Sequence, residues 1–319
     1  MVEMRDSYGR TFKTLRVSLI NTCNLGCVYC TYGNDELKEN YKLHKDRSMS
    51  ASDLSSSIIR LNQLLQLDTI RFTGGEPLLY KELPQLANSV RLAGINNLKI
   101  TTNGLLLEGL AQKLKDSGIT AINISLDAVD EDIFYKISRR TGLNRIFAGI
   151  DAALKAGMDI KINSVIMKGL NDSQILPLIN YAFSRGITIR FLEIMAMGHL
   201  YGNTDSQFFS QQEMLAIIGK KFKFSRLSRT TSSTANYWQT GEGYTFGIVA
   251  NESEPFCADC NRLRLDSYGN IYGCLSSNHP ISIKNLNDEE LVESLKLALK
   301  QKQALKFAGS ELSMMHIGG

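Results

Sequence analysis

Short apolar runs alternate with longer amphipathic runs through the first two thirds of the chain. The short runs are rich in Ile, Val, Leu and Thr, which is typical of buried strands. They lie at 14–20, 69–74, 98–103, 121–127, 160–167 and 188–195. The longer runs have helical spacing and lie at 51–67, 81–94, 107–118, 144–157 and 172–186. Repeated strand–helix units predict a parallel sheet with right-handed crossovers, so we expect an α/β fold with a partial (β/α)6 TIM-like barrel.

The pattern changes after residue 200. Residues 225–251 are rich in Thr, Ser and Gly, which predicts antiparallel strands or loops. Residues 283–308 are charged and have helical spacing. We therefore divide the chain into a barrel at 1–200 and a C-terminal extension at 201–319.

Composition narrows the class of protein. The chain has 319 residues, 43% hydrophobic and 21% charged, with a net charge of +4. This mild charge, without a Lys/Arg block, argues against nucleic acid as a partner. There is no apolar run of about 18 residues that would span a membrane, and the amino terminus does not resemble a signal peptide. We expect a cytoplasmic protein with reduced thiols.

All six cysteines fall into two groups of three. The first triad is Cys23, Cys27 and Cys30, and the second is Cys257, Cys260 and Cys274. Clustered reduced cysteines indicate metal rather than disulfides. A zinc site needs a fourth protein ligand, for which His279 is a candidate beside the second triad. An iron–sulfur cubane held by three cysteines instead leaves one iron open to another ligand.

The first triad directly follows the first predicted strand. The carboxyl ends of barrel strands are where such enzymes gather their active sites. The second strand is followed by "TGGEP", residues 73–77. Here Gly74 and Gly75 would let a ligand approach the backbone, and Glu76 can accept a hydrogen bond from an ammonium group.

Cationic side chains interrupt several of the predicted strands. Arg16 and Arg71 lie within the first two strands, and Lys161 begins the fifth. A cation in a buried sheet is costly without an anionic partner. Arg262 and Arg264 would point the same way in an extended strand and present two guanidinium groups to one phosphate.

These motifs resemble those of a known superfamily. Cys-x3-Cys-x2-Cys with Tyr29 before the last Cys, followed by "TGGEP", resembles the radical S-adenosylmethionine (SAM) superfamily. Four further segments are similar to the GTP 3′,8-cyclase family of molybdenum cofactor biosynthesis: "DSYGR", "IKINSVIMKGLND", "CNRLRL" and a terminal "GG". The resemblance extends from about residue 5 to the last residue.

The resemblance implies a role for each matching residue. The two triads would each hold a [4Fe–4S] cluster. The SAM-binding residues would be Tyr29, Gly74, Gly75, Glu76, Ser125 and Met195. The GTP-binding residues would be Arg16, Arg71, Thr102, Lys161, Arg190, Asn261, Arg262, Leu263 and Arg264. Arg16, Gly318 and Gly319 would serve catalysis.

The resemblance also implies a reaction and partners. One electron from the first cluster would split SAM into methionine and a 5′-deoxyadenosyl radical, which would remove the hydrogen at C3′ of GTP. The C3′ radical would then attack C8 of the guanine. A flavodoxin- or ferredoxin-like reductant would supply electrons, and cyclic pyranopterin monophosphate synthase would take the product. The chain would act as a monomer or homodimer.

Two loops depart from the family pattern. Thr31 and Tyr32 stand where the family commonly has Met-Pro, and residues 195–200, "MAMGHL", lack an acidic residue often found there. Two alternative functions remain at this point. One is a radical SAM maturase acting on a peptide, and the other is a zinc-stabilised binding protein without catalysis.

Overall fold

The computed structural model describes residues 4–31 and 48–318. Within them, twelve strands form one sheet in the order β12-β11-β10-β1-β2-β3-β4-β5-β6-β9-β8-β7. The strands are β1 Thr14–Ser18, β2 Thr69–Thr73, β3 Leu98–Thr102, β4 Ile119–Ser125, β5 Asp159–Ile166, β6 Thr188–Glu193, β7 Phe224–Arg226, β8 Asn236–Thr240, β9 Thr245–Val249, β10 Arg262–Leu265, β11 Asn270–Tyr272 and β12 Ile281–Ser282.

The first six strands form the predicted parallel sheet. They are hydrogen-bonded side by side in chain order, each parallel to the next. Each predicted strand is present, with its ends shifted by at most two residues. The α/β fold with a parallel sheet is therefore confirmed.

Strands after residue 200 extend both edges of this sheet. β9 pairs parallel with β6, and β10 pairs parallel with β1. The outer strands β7, β8, β11 and β12 are antiparallel to their neighbours. The antiparallel strands predicted at 225–251 are confirmed, and the C-terminal extension is continuous with the barrel sheet.

Helices connect the strands and flank the sheet. They are α1 Ala51–Leu65, α2 Leu83–Leu92, α3 Ala111–Asp116, α4 Glu131–Ser138, α5 Leu143–Lys155, α6 Ile175–Phe183, α7 Gln211–Gly219, α8 Asp288–Lys300 and α9 Met314–Ile317. The pattern did not predict α4, because only three apolar positions mark its eight residues. The charged helix predicted near the C-terminus is α8.

Side chains alternate between two environments along the strands. In β1, Leu15 and Val17 are fully buried in the main core, and Ile70 and Phe72 are their counterparts in β2. Because successive strand residues face opposite sides, Arg16 and the residues in register with it face away from that core. One side of the sheet thus packs against helices, while the other carries polar groups.

No helix in the described ranges combines the length and the apolar character needed to cross a bilayer.

Candidate active site

The first triad lies in the loop after β1 and lines a cavity at the carboxyl ends of the parallel strands. Cys23, Cys27 and Cys30 share this cavity with predicted SAM- and GTP-binding residues. Those residues are Tyr29, Gly74, Gly75, Glu76, Thr102, Ser125 and Met195. The fold therefore brings together residues from the ends of five strands, β1, β2, β3, β4 and β6.

The end of α4 holds the cysteine loop in place. The amide nitrogen of Gly26 donates to the carbonyl of Ser138 at 2.9 Å, and that of Val28 donates to the carbonyl of Ile137 at 2.9 Å. Arg139, in the left-handed conformation, donates to the carbonyl of Gly26. A helix that the sequence pattern did not reveal thus positions the triad.

The departure at Thr31 is accommodated by the same arginine. Arg139 donates to the Thr31 carbonyl at 3.0 Å and to its hydroxyl oxygen at 3.2 Å. Thr31 is buried, so this contact satisfies polar groups that would otherwise lack a partner. Tyr32, the other departure, lies outside the described residues.

Burial and neighbouring negative groups disfavour free thiolates in the first triad. Burial, together with the charge of Glu76, raises the pKa of Cys23 to about 11. Burial, Cys23 and Asp127 raise the pKa of Cys30 to about 12. Burial also raises the pKa of Cys27 well above its usual value. A thiolate ligand in this pocket would need positive charge supplied from within the cavity, as metal coordination supplies it.

The donor set of each triad fits a [4Fe–4S] cluster, which three thiolates can hold. All six cysteines are free of disulfides. Across residues 4–31 and 48–318, no three His, Cys, Asp or Glu side chains converge as a single metal ion would require. His279 is bound through its main chain, whose carbonyl accepts from Gln301 and whose amide donates to Ser277. The cluster interpretation therefore depends on the spacing of the cysteines in both triads and, for the first triad, on the cavity that its three cysteines line.

Gly74 and Gly75 are required by the protein's own backbone. A Cβ at Gly74 would lie 2.6 Å from the carbonyl oxygen of Ile20, and one at Gly75 would lie 2.3 Å from that of Thr22. Gly75 also donates to the Ile20 carbonyl. The sequence suggested that these glycines admit a ligand; in the structure their missing side chains let β2 pack against the cysteine loop.

Glu76 is buried with most of its hydrogen-bonding capacity used. One carboxylate oxygen accepts from the Leu78 amide at 2.9 Å and the Thr102 hydroxyl at 2.7 Å, and the other accepts from the Asn103 amide at 2.8 Å. Burial raises its pKa to about 7 despite these donors. A carboxylate has about four acceptor sites, so Glu76 retains room for one further donor such as an ammonium group.

Tyr29 is fixed by a carboxylate that the sequence did not single out. Its hydroxyl donates to Asp127 at 2.6 Å, and the other Asp127 oxygen accepts from the Val165 amide at 2.8 Å. Asp127 follows β4 and lines the same cavity. Its position just after a strand, at the same edge as the triad, was the available sequence signal.

The predicted cations form a belt on the inner side of the sheet. Arg16 is in register with Arg264 on one neighbouring strand and with Arg71 on the other. Arg71 is in register with Lys99. Lys99 also lies between buried residues of its strand, but it was not among the residues predicted from the sequence. Arg190 lies on β6, where its Nε donates to Asn163. The belt brings cations from β10, β1, β2, β3 and β6 onto one side.

Arg264 is buried and the other four belt cations are half-buried, and this removal from water is costly for a charged group. Burial and the surrounding arginines lower the pKa of Arg16 well below its usual value, and its Nε has no hydrogen-bond partner in the described structure. Burial lowers the pKa of Arg71 and of Arg264 to about 10. None of the five belt cations is within ion-pair distance of a carboxylate in the described residues.

The remaining predicted GTP residues occupy different positions. Arg262 donates to the Ser232 carbonyl at 2.8 Å, and its Nη2 is buried without a partner in the described residues. Lys161 lies 5.8 Å from the centre of the Tyr237 ring. The Asn261 carbonyl accepts from the Thr14 amide. Leu263 is fully buried in the core, so it could meet a substrate only through its main chain.

The C-terminal tail enters the inner side of the sheet. A Cβ at Gly318, where φ is +72°, would lie 2.1 Å from the Thr73 hydroxyl oxygen and 3.2 Å from Ser18. Arg264 donates to the carbonyls of Ile317 and Gly318. The tail therefore joins the cation belt to the cavity that the first triad lines; Gly319 lies outside the described residues.

The second triad is surrounded by positive charge. Burial alone would raise the pKa of Cys260, but Arg262 and Lys302 outweigh it and lower that pKa to about 6. Burial raises the pKa of Cys257 to about 11. Arg10, from the "DSYGR" segment, donates to the Cys257 carbonyl and is paired with Asp6 at 2.7 Å. This segment therefore helps to hold the second triad.

Two family models together match most of the chain. The model of the Radical SAM superfamily matches residues 17–182, and that of Molybdenum Cofactor Synthesis C matches residues 187–308. Among solved structures, the chain resembles Streptococcus suis SuiB bound to S-adenosylmethionine, with a TM-score of 0.64 and 16% identity, covering 91% of this chain and 68% of that one. It also resembles native anSMEcpe with bound AdoMet, with a TM-score of 0.59 and 16% identity over 89% and 81%. These likenesses show the fold.

The sequence relatives identify the family more specifically than the solved structures do. A Synechocystis sp. GTP 3′,8-cyclase is 34% identical, and the match covers 98% of this chain and 94% of the relative. A Staphylococcus carnosus GTP 3′,8-cyclase is 36% identical over 92% and 86%. With matches of this extent, and with both triads and the Gly-rich segment in place, the chain belongs to the GTP 3′,8-cyclase family of the radical SAM superfamily.

Proposed function

We propose that the chain is a GTP 3′,8-cyclase that converts GTP to (8S)-3′,8-cyclo-7,8-dihydroguanosine 5′-triphosphate. The observation that carries the proposal is the belt of buried and half-buried cations without carboxylate partners in the described residues, which the tail connects to a cysteine-lined cavity. Buried uncompensated cations persist where an anionic ligand supplies the missing charge. A nucleoside triphosphate supplies several negative oxygens in one molecule.

Each part of the site has a task in this proposal. Cys23, Cys27 and Cys30 would hold one [4Fe–4S] cluster, which supplies the electron that cleaves SAM to the 5′-deoxyadenosyl radical. Glu76 would accept from the SAM ammonium group. The other residues proposed to contact SAM are Tyr29, Gly74, Gly75, Ser125 and Met195. Asp127 would orient Tyr29 through the 2.6 Å hydrogen bond.

Cys257, Cys260 and Cys274 would hold the other [4Fe–4S] cluster, which would supply a binding site for the guanine base. The belt would bind the triphosphate and so fix the ribose, which positions C3′ for hydrogen abstraction and C8 for attack. The residues proposed to contact GTP are Arg16, Arg71, Thr102, Lys161, Arg190, Asn261, Arg262, Leu263 and Arg264. Gly318 and Gly319 would pass close to the substrate, where side chains would collide with it.

The remaining expectations complete the proposal. Residues 1–200 would carry SAM cleavage, and 201–319 would carry the second cluster and the tail. A flavodoxin- or ferredoxin-like protein would be the reductant, and cyclic pyranopterin monophosphate synthase would take the product in the cytoplasm. The chain would act as a monomer or homodimer.

Anaerobic reconstitution tests the proposal. We expect about eight irons per chain with matching sulfide. With SAM, a chemical reductant and GTP, the reconstituted chain should form 5′-deoxyadenosine and a product isomeric with GTP, both detected by mass spectrometry. Zinc without iron, or 5′-deoxyadenosine without any GTP-derived product, would contradict the assignment.

A further inference from the structure

Lys302 is a buried lysine beside the second triad. It follows α8 and is only 6% exposed. Its Nζ lies 3.5 Å from the sulfur of Cys260, donates to the Arg262 carbonyl at 2.7 Å and stands 4.8 Å from the centre of the Phe12 ring. The side chain is thus held by contacts from two separate segments, residues 260–262 and Phe12.

A lysine in this position needs a negative partner. Burying an ammonium group costs several kcal/mol unless a counter-charge lies close. Within the described residues, Lys302 forms no ion pair with Asp or Glu. The Cys260 sulfur lies 3.5 Å from Nζ, and as a thiolate ligand of the cluster proposed above it would supply negative charge next to the lysine.

The segment that carries Lys302 packs beside the second triad. The side chain of Gln301 accepts from the amide of Gly273, the residue before Cys274, at 2.9 Å. The Gln303 carbonyl accepts from Arg10 at 3.0 Å, and Arg10 also donates to the Cys257 carbonyl. Residues 301–303 therefore contact Cys260 directly, the neighbour of Cys274 through Gln301, and Cys257 by way of Arg10.

Packing leaves this segment little freedom. A Cβ at Gly273 would lie 1.7 Å from the carbonyl oxygen of Ala298 in the last turn of α8. The strand end that leads to Cys274 therefore lies directly on the helix that precedes Lys302. Lysine and triad are held at a fixed separation by backbone.

We infer that Lys302 is a positioning residue for the second [4Fe–4S] cluster, holding the Cys260 thiolate with its charge and raising the cluster's reduction potential. The inference rests on the proposed function, since it requires a cluster at this triad. A charge effect of this kind follows from electrostatics: reduction adds negative charge to the cluster, and a nearby fixed cation favours the more negative state.

The test compares two lysine substitutions on the full chain. Lys302→Met removes the charge at nearly constant volume, and Lys296→Met, on the exposed side of α8 beside Glu293, removes an equal charge remote from the triad. Midpoint potentials are measured by EPR-monitored redox titration after anaerobic reconstitution. A variant with Cys23, Cys27 and Cys30 replaced by Ala identifies the signal of the second cluster.

In Lys302→Met we expect the second cluster to become harder to reduce by at least a factor of ten in the reduction equilibrium, about 59 mV for one electron. The first cluster and the Lys296→Met variant should be unchanged. Full iron loading with an unshifted second potential would overturn the inference while leaving the proposed function intact. Failure of every chain, the parent included, to take up iron would instead refute the proposed function.

If Lys302→Met loses the second cluster, Lys302→Arg distinguishes loss of charge from loss of packing, because it keeps the charge. Recovery of about half the iron, that of one cluster in two, in the Arg variant on a background without the first triad supports the role of charge. Equal loss of iron in the Met and Arg variants would mean that Lys302 acts through packing alone, and it would overturn the inference.

Discussion

The two cysteine triads offer the same three thiols to opposite electrostatic surroundings. The first lies near Glu76 and Asp127, and within residues 4–31 and 48–318 the charged side chains that shift the pKa of its thiols are acidic. At the second, Arg262 and Lys302 lower the pKa of Cys260 to about 6, overcoming the effect of burial. Donor type therefore does not distinguish the two sites; the surrounding charge does.

In the proposed function, this difference in charge would separate electron donation at the first triad from nucleotide binding at the second. Negative surroundings disfavour the reduced form of a cluster, so a cluster that is reduced there is a strong electron donor. Positive surroundings suit a site that must bind an anionic nucleotide nearby. The fold achieves this separation with loops at neighbouring strands, since β1 and β10 are paired.

Removing either triad should have the largest effect on iron content and activity, because it eliminates one of the two proposed cluster sites. Replacing Cys23, Cys27 and Cys30 by Ala should remove about half the iron, the share of one cluster in two, and abolish SAM cleavage. Replacing Cys257, Cys260 and Cys274 should also halve the iron but leave some SAM cleavage without cyclisation. Iron assays and 5′-deoxyadenosine quantification measure these outcomes. Equal loss of SAM cleavage in both variants would show that the two sites are not divided in this way.

Deleting Gly318 and Gly319 should uncouple SAM cleavage from formation of the cyclic product. The tail contacts Thr73 beside the first triad and accepts from Arg264 near the second, so its loss should lower cyclic product at least about 100-fold through misplaced substrate. SAM cleavage should fall less, and both clusters should remain. Gly219→Ala is a matched glycine control, because its Cβ would meet only Phe224 at 3.9 Å. Full activity of the truncated chain would make the tail an ordinary terminus.

Arg16→Met should have a smaller effect, which lowers GTP affinity without lowering stability. Charge-assisted hydrogen bonds contribute roughly 1.5–3 kcal/mol, so GTP affinity should fall at least about tenfold. The unfolding temperature without GTP should stay the same or rise, because the substitution removes a buried cation without a carboxylate partner. Calorimetry with GTP and thermal unfolding measure the two effects. Arg226→Met, at an exposed arginine paired with Glu254, should leave GTP affinity unchanged; unchanged affinity in Arg16→Met would remove Arg16 from the binding site.

The six parallel strands could be predicted because each is a local run of apolar residues with its own pattern. The pairing of β10 with β1 could not, since it joins segments about 250 residues apart and depends on the whole fold. Lys302 looked like the charged end of an amphipathic helix. Its burial depends on Phe12 and Cys260, which approach it only in the folded chain.

The structure gives the two glycines of the Gly-rich segment a different physical reason from the one expected from the sequence. Gly74 and Gly75 were expected to make room for a ligand, whereas Ile20 and Thr22 occupy the space that their side chains would need. Asp127 escaped notice because a single carboxylate after a strand is common. Its significance comes from the hydroxyl of Tyr29, which only the fold brings to 2.6 Å.

The continuous sheet has a consequence for the chain as it is synthesised. Once β1–β6 have left the ribosome they can pair among themselves, but the edges of β1 and β6 stay open until β10 and β9 follow. About 250 residues separate β1 from β10, which at roughly 5–20 residues per second is about 12–50 s of translation. Open parallel edges are sites of aggregation. The C-terminal strands therefore protect the nascent barrel, and a chain truncated before residue 262 would expose the β1 edge permanently.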